Sequence, residues 1–320
     1  MATFGACSAA VEPARASTSI DPVSTVEKID VGVAAPAGAA AEELAPLSDR
    51  LTVIRPPSRI PKLDFQELWH YRELAMTLVW RDLKVRYKQT AIGVAWALLQ
   101  PFVTMVVLTL VFGKFAKFPS QDLPYPIFLF SAQLPWTYFS SAFTASSASV
   151  NTNAPLVTKI YFPRVLLPLA AITVPAVDFV LASSILAGMM VYYHVAVGAE
   201  IFLTPLFLLL AAVSALGAGL LFSVANVRFR DVPYVIPFLV QIWFYCSAVI
   251  FPLDSVPAKW QWILSLNPMT GVITAFRWAV VGTPPPQAGQ FALSVTMAGL
   301  LFLAGLTVFR GYEPRFADTI

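Results

Sequence analysis

From residue 89 onward the chain alternates long uncharged stretches with short charged ones. No Asp, Glu, Lys or Arg occurs in residues 89–113, 123–158, 201–227, 232–253 or 278–309, and residues 165–193 carry only Asp178. A helix needs about 20 apolar residues to cross the hydrocarbon core of a bilayer. The pattern predicts an all-α membrane protein with six transmembrane helices, near 92–113, 125–147, 166–193, 202–225, 233–252 and 289–309. Just before the first, eight residues hold five charges: Arg81, Asp82, Lys84, Arg86 and Lys88. Residues 64–88 mix apolar and charged positions, with Leu68, Ala75, Val79, Leu83 and Tyr87 near one helical face. Too charged to span, this stretch suits an amphipathic helix lying at the membrane surface, capped by Asp64 with Glu67 three residues on. A plain solvated helix is the alternative.

One apolar stretch breaks the pattern. Residues 255–286 are rich in aromatics but interrupted by Pro268 and Gly271, and neither half is long enough to span. Two short re-entrant helices that dip into the outer leaflet fit this stretch, provided protein or water covers their exposed backbone; an amphipathic surface loop is the alternative. Lys/Arg asymmetry orients the whole. With the N-terminus inside, Arg72, Arg81, Lys84, Arg86, Lys88, Lys159, Arg164, Arg228, Arg230, Arg310 and Arg315 face the cytoplasm, while only Lys114, Lys117, Lys259 and Arg277 face out. Six spans then leave both termini cytoplasmic. Residues 1–60 are rich in Ala, Pro, Ser and Thr without sustained period and read as a disordered extension, with the transmembrane domain over 61–320.

Composition sharpens this picture and excludes others. The chain is 58% apolar and 12% charged, against about 45–50% and 25% for soluble domains. A net charge of +3, with scattered basic residues, excludes nucleic acid as a partner and leaves membrane lipids. Cys7 and Cys246 form neither a disulfide framework nor a metal site, and Cys7 is read as incidental rather than lipidated. There is no phosphate-cradling GxxxxGK[ST] loop, because Gly113-Lys114 lacks the upstream glycine and the hydroxyl residue. The chain is therefore not expected to hydrolyse nucleotide, and no catalytic triad or metal cluster points to an enzyme.

Asp178 is the only acid deep inside a predicted span. Such a residue costs about 2.5–3.5 kcal/mol on insertion scales and is a functional candidate. Without a relay of further acids, a structural role bonding to neighbouring Ser or Thr is the simpler expectation. Aromatics form three groups. Trp136, Tyr138 and Phe139 lie early in the second span and Trp243, Phe244 and Tyr245 in the middle of the fifth; Trp260, Trp262 and Trp278 lie in the outer segment. The last group suits an interfacial belt. The first two are candidates to line a glycan channel by stacking on sugar rings, with an interfacial belt as the alternative.

The stretches YRELAMTLVWRDLKVRYKQTAIGVAWALLQP (71–101), NVRFRDV (226–232), LNPMTGVITAFRWAVVG (266–282) and EPRFADTI (313–320) together resemble the membrane subunit of ABC-2-type polysaccharide exporters, over residues 63–320. That resemblance implies a homodimer paired with two copies of a separate ATP-binding subunit, which would hold the ATP and Mg, leaving no cofactor in this chain. It implies export of a lipid-linked glycan, most simply O-antigen, across a bacterial inner membrane. By the same likeness residues 151–165 are a coupling loop. Lys159, Tyr161, Phe162 and Arg164, together with Arg81, Lys84 and Arg86 and the turn Arg228, Arg230 and Asp231, would then contact the ATPase. Trp260, Trp262, Asn267, Pro268, Arg277 and Trp278 would form an outer gate. Pro101 is expected to kink the first span. An ABC-2 exporter of small hydrophobic molecules, a membrane-embedded glycosyl- or acyltransferase and a secondary transporter are the rivals; the last two lack their catalytic or coupling residues.

Overall fold

A computed structural model describes residues 65–88, 93–196 and 198–316. The expected tail 1–60, the cap Asp64 and the junction at 89–92 lie outside them. Among the described residues every regular element is helical, without strands. A short α1 (Phe65–His70) leads into α2 (Arg72–Lys88), then α3 (Gly93–Leu108), which continues as a π-helical turn over Thr109–Phe115. The long α4 (Tyr125–Thr152) is followed by short α5 (Ala154–Lys159) and α6 (Leu166–Ala171), then α7 (Thr173–Tyr192), α8 (Thr204–Arg228) and α9 (Val232–Tyr245). Two further short helices, α10 (Ala258–Ser265) and α11 (Pro268–Val281), precede the final α12 (Ala288–Tyr312).

Among the described residues, four stretches are long and apolar enough to cross a membrane: Ala95–Phe115, Leu166–Tyr192, Ala199–Arg228 and Ala288–Arg315. The other two expected spans differ, for different reasons. Helix α4 reaches about 42 Å at 1.5 Å per residue, but serines and threonines dilute its apolar content. Helix α9 has only 14 residues, about 21 Å, because the chain turns at 246–250 instead of remaining helical to 252. The outer segment forms two short helices, as the sequence pattern suggests. Its break lies at Leu266-Asn267 alone, and Gly271 sits inside α11, not at an interruption.

Helix α8 is the central post: its contacts with α4 and with α12 are the most extensive in the fold. Those contacts are close because small residues face each other, the usual solution where lipid removes the hydrophobic drive between helices. A Cβ on Gly305 would lie 2.2 Å from the Gly217 carbonyl oxygen, and one on Gly217 would lie 2.7 Å from the Phe302 backbone. Helices α3 and α9 sit at the opposite extreme. Trp96, Phe102, Val103 and Val107 of α3 are exposed, and Ile236 is the one buried residue of α9.

Two buried clusters stack along the bundle. The larger joins α4 to α7, α8 and α11 through Phe128, Phe139, Phe143, Phe179 and Phe276. The smaller occupies the end rich in basic residues, where Leu78 of α2 meets Val157, Phe162, Leu166, Leu220, Phe309 and Phe316. Of the stripe the sequence predicts, Leu68, Ala75 and Val79 pack on this cluster while Leu83 and Tyr87 do not; Leu74 and the buried Leu78 complete the seam instead. Trp69 of α1 and Met76 and Trp80 of α2 project outward, so α2 is apolar on two sides, with Arg72 over Trp69 and Lys84 over Trp80. That pairing of indole with cation suits the headgroup level of a bilayer.

Candidate functional site

At the basic end, several of the residues expected to touch an ATPase are already engaged within the chain. Arg81 Nη2 donates to Asn153 Oδ1 at 2.7 Å and also holds Asp82 at 2.8 Å. Asn153 closes α4 and opens α5, and its own amide donates to the Ser149 carbonyl at 2.8 Å. Lys84 lies 5.4 Å from the Trp80 ring centroid. Arg164 donates its backbone N–H to Glu313 Oε1 at 2.7 Å and its guanidinium to the Glu313 carbonyl, while Arg310 pairs with the same carboxylate at 3.0 Å. Arg228 donates to the Tyr312 hydroxyl at 3.1 Å, and Arg230 and Asp231 occupy a turn, as the sequence suggests, in which Val232 N donates to the Phe229 carbonyl at 3.4 Å. Arg230, Asp231, Lys159 and Tyr161 are exposed. Phe162 corrects the expectation outright: it is buried in the smaller cluster and anchors the loop, leaving Tyr161 as the aromatic on the surface.

Asp178 also finds partners other than those expected. It accepts a hydrogen bond from the Tyr87 hydroxyl on one oxygen and pairs with Arg86 on the other. Ser and Thr play no part, because their side chains on this helix bond back to its own turns: Ser183 donates to the Phe179 carbonyl and Ser184 to that of Leu181. Burial, reinforced by the carboxylate it serves, pushes the Tyr87 phenol above its ordinary range, so it remains a donor at all physiological pH.

Between α4, α8 and α9 lies a cleft of about 190 Å³, lined by Thr144, Ser147, Asn151 and Thr152 of α4, Asn226 of α8, and Pro233 and Ile236 of α9. Its two amides satisfy each other and the helix ends. Asn151 donates to the Asn226 carbonyl and side chain at 3.0 and 3.2 Å, and Asn226 returns a bond to the Ser147 carbonyl at 3.0 Å. The cleft opens onto a stripe. From 137 to 152, every residue of α4 that is not buried is Thr137, Ser140, Ser141, Thr144, Ala145, Ala148, Asn151 or Thr152. The hydroxyls of Thr144 and Thr152 donate to carbonyls one turn back, at 2.8 and 3.0 Å. Their oxygen lone pairs remain for an outside partner.

The two aromatic groups expected to line a channel do meet, but they meet each other. Phe139 stands edge-on to Trp243 with centroids 4.9 Å apart, and Trp136 edge-on to Phe244 at 5.6 Å. Trp136, Tyr138 and Phe139 are buried, and Tyr245 alone of the six is exposed. Trp136, Tyr138 and Phe139 are therefore core, Trp243 and Phe244 are half-buried and pack on them, and only Tyr245 keeps an exposed ring. Edge-to-face geometry follows from the ring quadrupole, positive at the edge and negative on the face.

At the far end Asn267 is a junction. Its side chain caps α11 by accepting from Met269 N at 3.0 Å, accepts from Trp243 Nε1 at 2.8 Å, and donates to Ser247 Oγ at 2.6 Å. Pro268 follows at the first helical position, where a missing N–H is harmless. Arg277, expected on the outer face, is 2% exposed. Its guanidinium lies 3.8 Å over the Phe128 ring and donates to the carbonyls of Ala248 and Val249 at 3.3 and 3.1 Å. The short α9 explains this: the turn after Tyr245 frees backbone carbonyls, and Arg277 supplies donors to them. Trp260 and Trp262 are exposed, Trp278 is half-buried and Pro268 is buried.

Against known proteins, residues 73–281 match the ABC-2 type transporter family. The chain belongs to that family. Among curated members, it is 27% identical over 258 residues to the O-antigen export system permease protein of Myxococcus xanthus, covering 80% of this chain and 98% of that protein. The Klebsiella pneumoniae O-antigen export system permease protein is 25% identical, over 78% of this chain and 95% of that protein. The polysialic acid transport protein of Escherichia coli is 26% identical, over 72% and 88% respectively. As an ABC-2 member this chain is a multi-pass membrane protein, and its relatives are transporter subunits, not enzymes.

Several residues that organise this ABC-2 bundle escape a reading by residue type. Asn153, Asn226 and Glu313 stand alone in the sequence and find partners 72, 75 and 149 residues away. The hydroxyl stripe did leave a signal, since Thr137, Ser141, Thr144, Ala148 and Thr152 recur every three or four positions, among other serines of α4 that the fold buries.

Proposed function

We propose that this chain is the channel-forming permease of an ATP-driven exporter that carries a lipid-linked polysaccharide, most simply O-antigen, from the cytoplasm across the bacterial inner membrane. Six crossings, with α10 and α11 re-entrant at the outer leaflet, leave both termini in the cytoplasm. Two copies enclose the path, and two copies of a separate ATP-binding subunit, holding ATP and Mg, dock at the basic end. The observation that carries the reading is the stripe of hydroxyl, amide and alanine positions along α4, continuous with the cleft between α4, α8 and α9. Against lipid such a stripe gains nothing, whereas a hydrated sugar chain needs weak, repeated polar contacts that let it bind and move on. The named relatives at full-length coverage support the polysaccharide class. An exporter of small hydrophobic molecules would be served better by an apolar path.

Deleting the gene is expected to strip the cell surface of the polysaccharide and to leave the glycan inside, read by surface labelling and by extraction of lipid-linked material. Unchanged surface glycan overturns the proposal. A finer expectation concerns Thr144. Thr144→Leu places a bulky apolar group in the cleft mouth and is expected to lower export about tenfold, a change of roughly 1.4 kcal/mol in barrier, with normal protein levels in the membrane. Export at the wild-type rate would remove the stripe from the path.

A further inference from the structure

Helix α2 is held to the rest of the chain by polar contacts at two points, one near its middle and one at its end. Near the middle, Arg81 donates to Asn153, the residue that opens α5. At the end, Arg86 and Tyr87 both engage Asp178 of α7, one on each carboxylate oxygen. Neighbouring residues on a helix lie about 100° apart, so two of them can grip a single carboxylate only if the helix end is seated beside it. The carboxylate is 15% exposed while Arg86 is 47% exposed, so the acid is the sheltered member and the arginine reaches in from outside. Between the two contact points runs the apolar seam of Leu74, Leu78 and Val79 on the smaller cluster.

We propose that Asp178 is a positioning residue for transport, the fixed socket of a crossbar formed by α2. A displacement of α5 is carried through Asn153 and Arg81 into α2, and through Arg86 and Tyr87 into α7. This rests on the reading of α5 as the element that an ATP-binding partner moves. It gives the lone acid of the third span a mechanical role in place of proton transport. It also makes the basic cluster 81–88 an internal fastener as well as a topology signal. The chemistry required is a charge pair of either polarity, with the Tyr87 hydroxyl donating to an acid at 178 or its oxygen accepting from an arginine there.

The test is a charge exchange in the full complex with its ATP-binding subunit. R86D and D178R singly are expected to lower export about tenfold, within the usual range for coupling between sites, while ATP hydrolysis by the complex continues. The double variant R86D/D178R restores export to within about threefold of wild type, because the pair is remade with its polarity reversed. Restored export with single variants uncoupled supports the crossbar. Singles that export normally, or a double no better than either single at equal membrane levels, overturn it. Should the single exchanges fail to insert, the milder R86Q, D178N and R86Q/D178N set is followed by melting temperature in nanodiscs. Additive shifts overturn the fastening, and non-additive shifts support it. That cycle needs no transported substrate, so it stands apart from the exporter reading, whose own failure shows as absent export by the wild type.

Discussion

Gly305→Leu is expected to leave little folded protein in the membrane. The backbone of α12 crosses that of α8 at Gly305 and Gly217, where a single Cβ already meets a carbonyl oxygen at 2.2 Å. Neither neighbour can yield, because both are backbone and not the tip of a side chain. Inserting even modest bulk into a packed interior costs about 1–3 kcal/mol, and here the obstacle forces apart one of the two most extensively packed helix pairs of the fold. Size-exclusion profiles in mild detergent should show aggregation or loss, and any soluble fraction should melt well below wild type. Gly299→Leu on the same helix meets nothing within 4 Å and should behave as wild type. A normal profile for Gly305→Leu would mean that the helices do not approach as closely as described.

Asn267→Ala should be strongly destabilising at the end of the bundle where α11 begins. It removes the cap of α11, worth about 1 kcal/mol, and leaves Trp243 Nε1 without its acceptor and Ser247 without its amide donor. A buried donor stripped of its partner costs about 1–3 kcal/mol, so a total of roughly 2–4 kcal/mol is expected. Asn267→Asp keeps both acceptor roles and loses only the donor bonds, so it should fall between. Melting temperatures in nanodiscs check the order: wild type highest, Asp intermediate, Ala lowest. Equal melting of all three would show that the junction contributes nothing.

Much of the architecture is legible in the sequence because charge is so scarce. Gaps between charged residues locate every long helix, and Asn267-Pro268 marks the start of α11, since an amide cap followed by proline is a local signal. Helix α9 is misjudged for the opposite reason. Nothing in residues 246–252 is polar enough to reveal that the helix stops, and the carbonyls freed there are satisfied by Arg277, about 30 residues on. The aromatic groups are misjudged because a ring serves core and channel wall equally well, and only burial separates the two. Asp178 is conspicuous as a lone acid, yet its partners lie about 90 residues earlier on a helix whose pattern is that of a surface element. The polar stripe of α4 repeats at helical spacing, but residue type alone does not separate hydroxyls that face outward from those buried against a neighbour.

The crossing of Gly217 and Gly305 has a consequence for motion. Two helices separated by side chains can slide, because rotamers adjust as one ridge passes another. Backbones in direct contact have no such bearing surface, and any rotation drives a Cα or a carbonyl into its neighbour. Helices α8 and α12 therefore behave as a keel. Whatever opens during a transport cycle must hang from the flanks, on α3 with its exposed face and on α9 with its single buried residue.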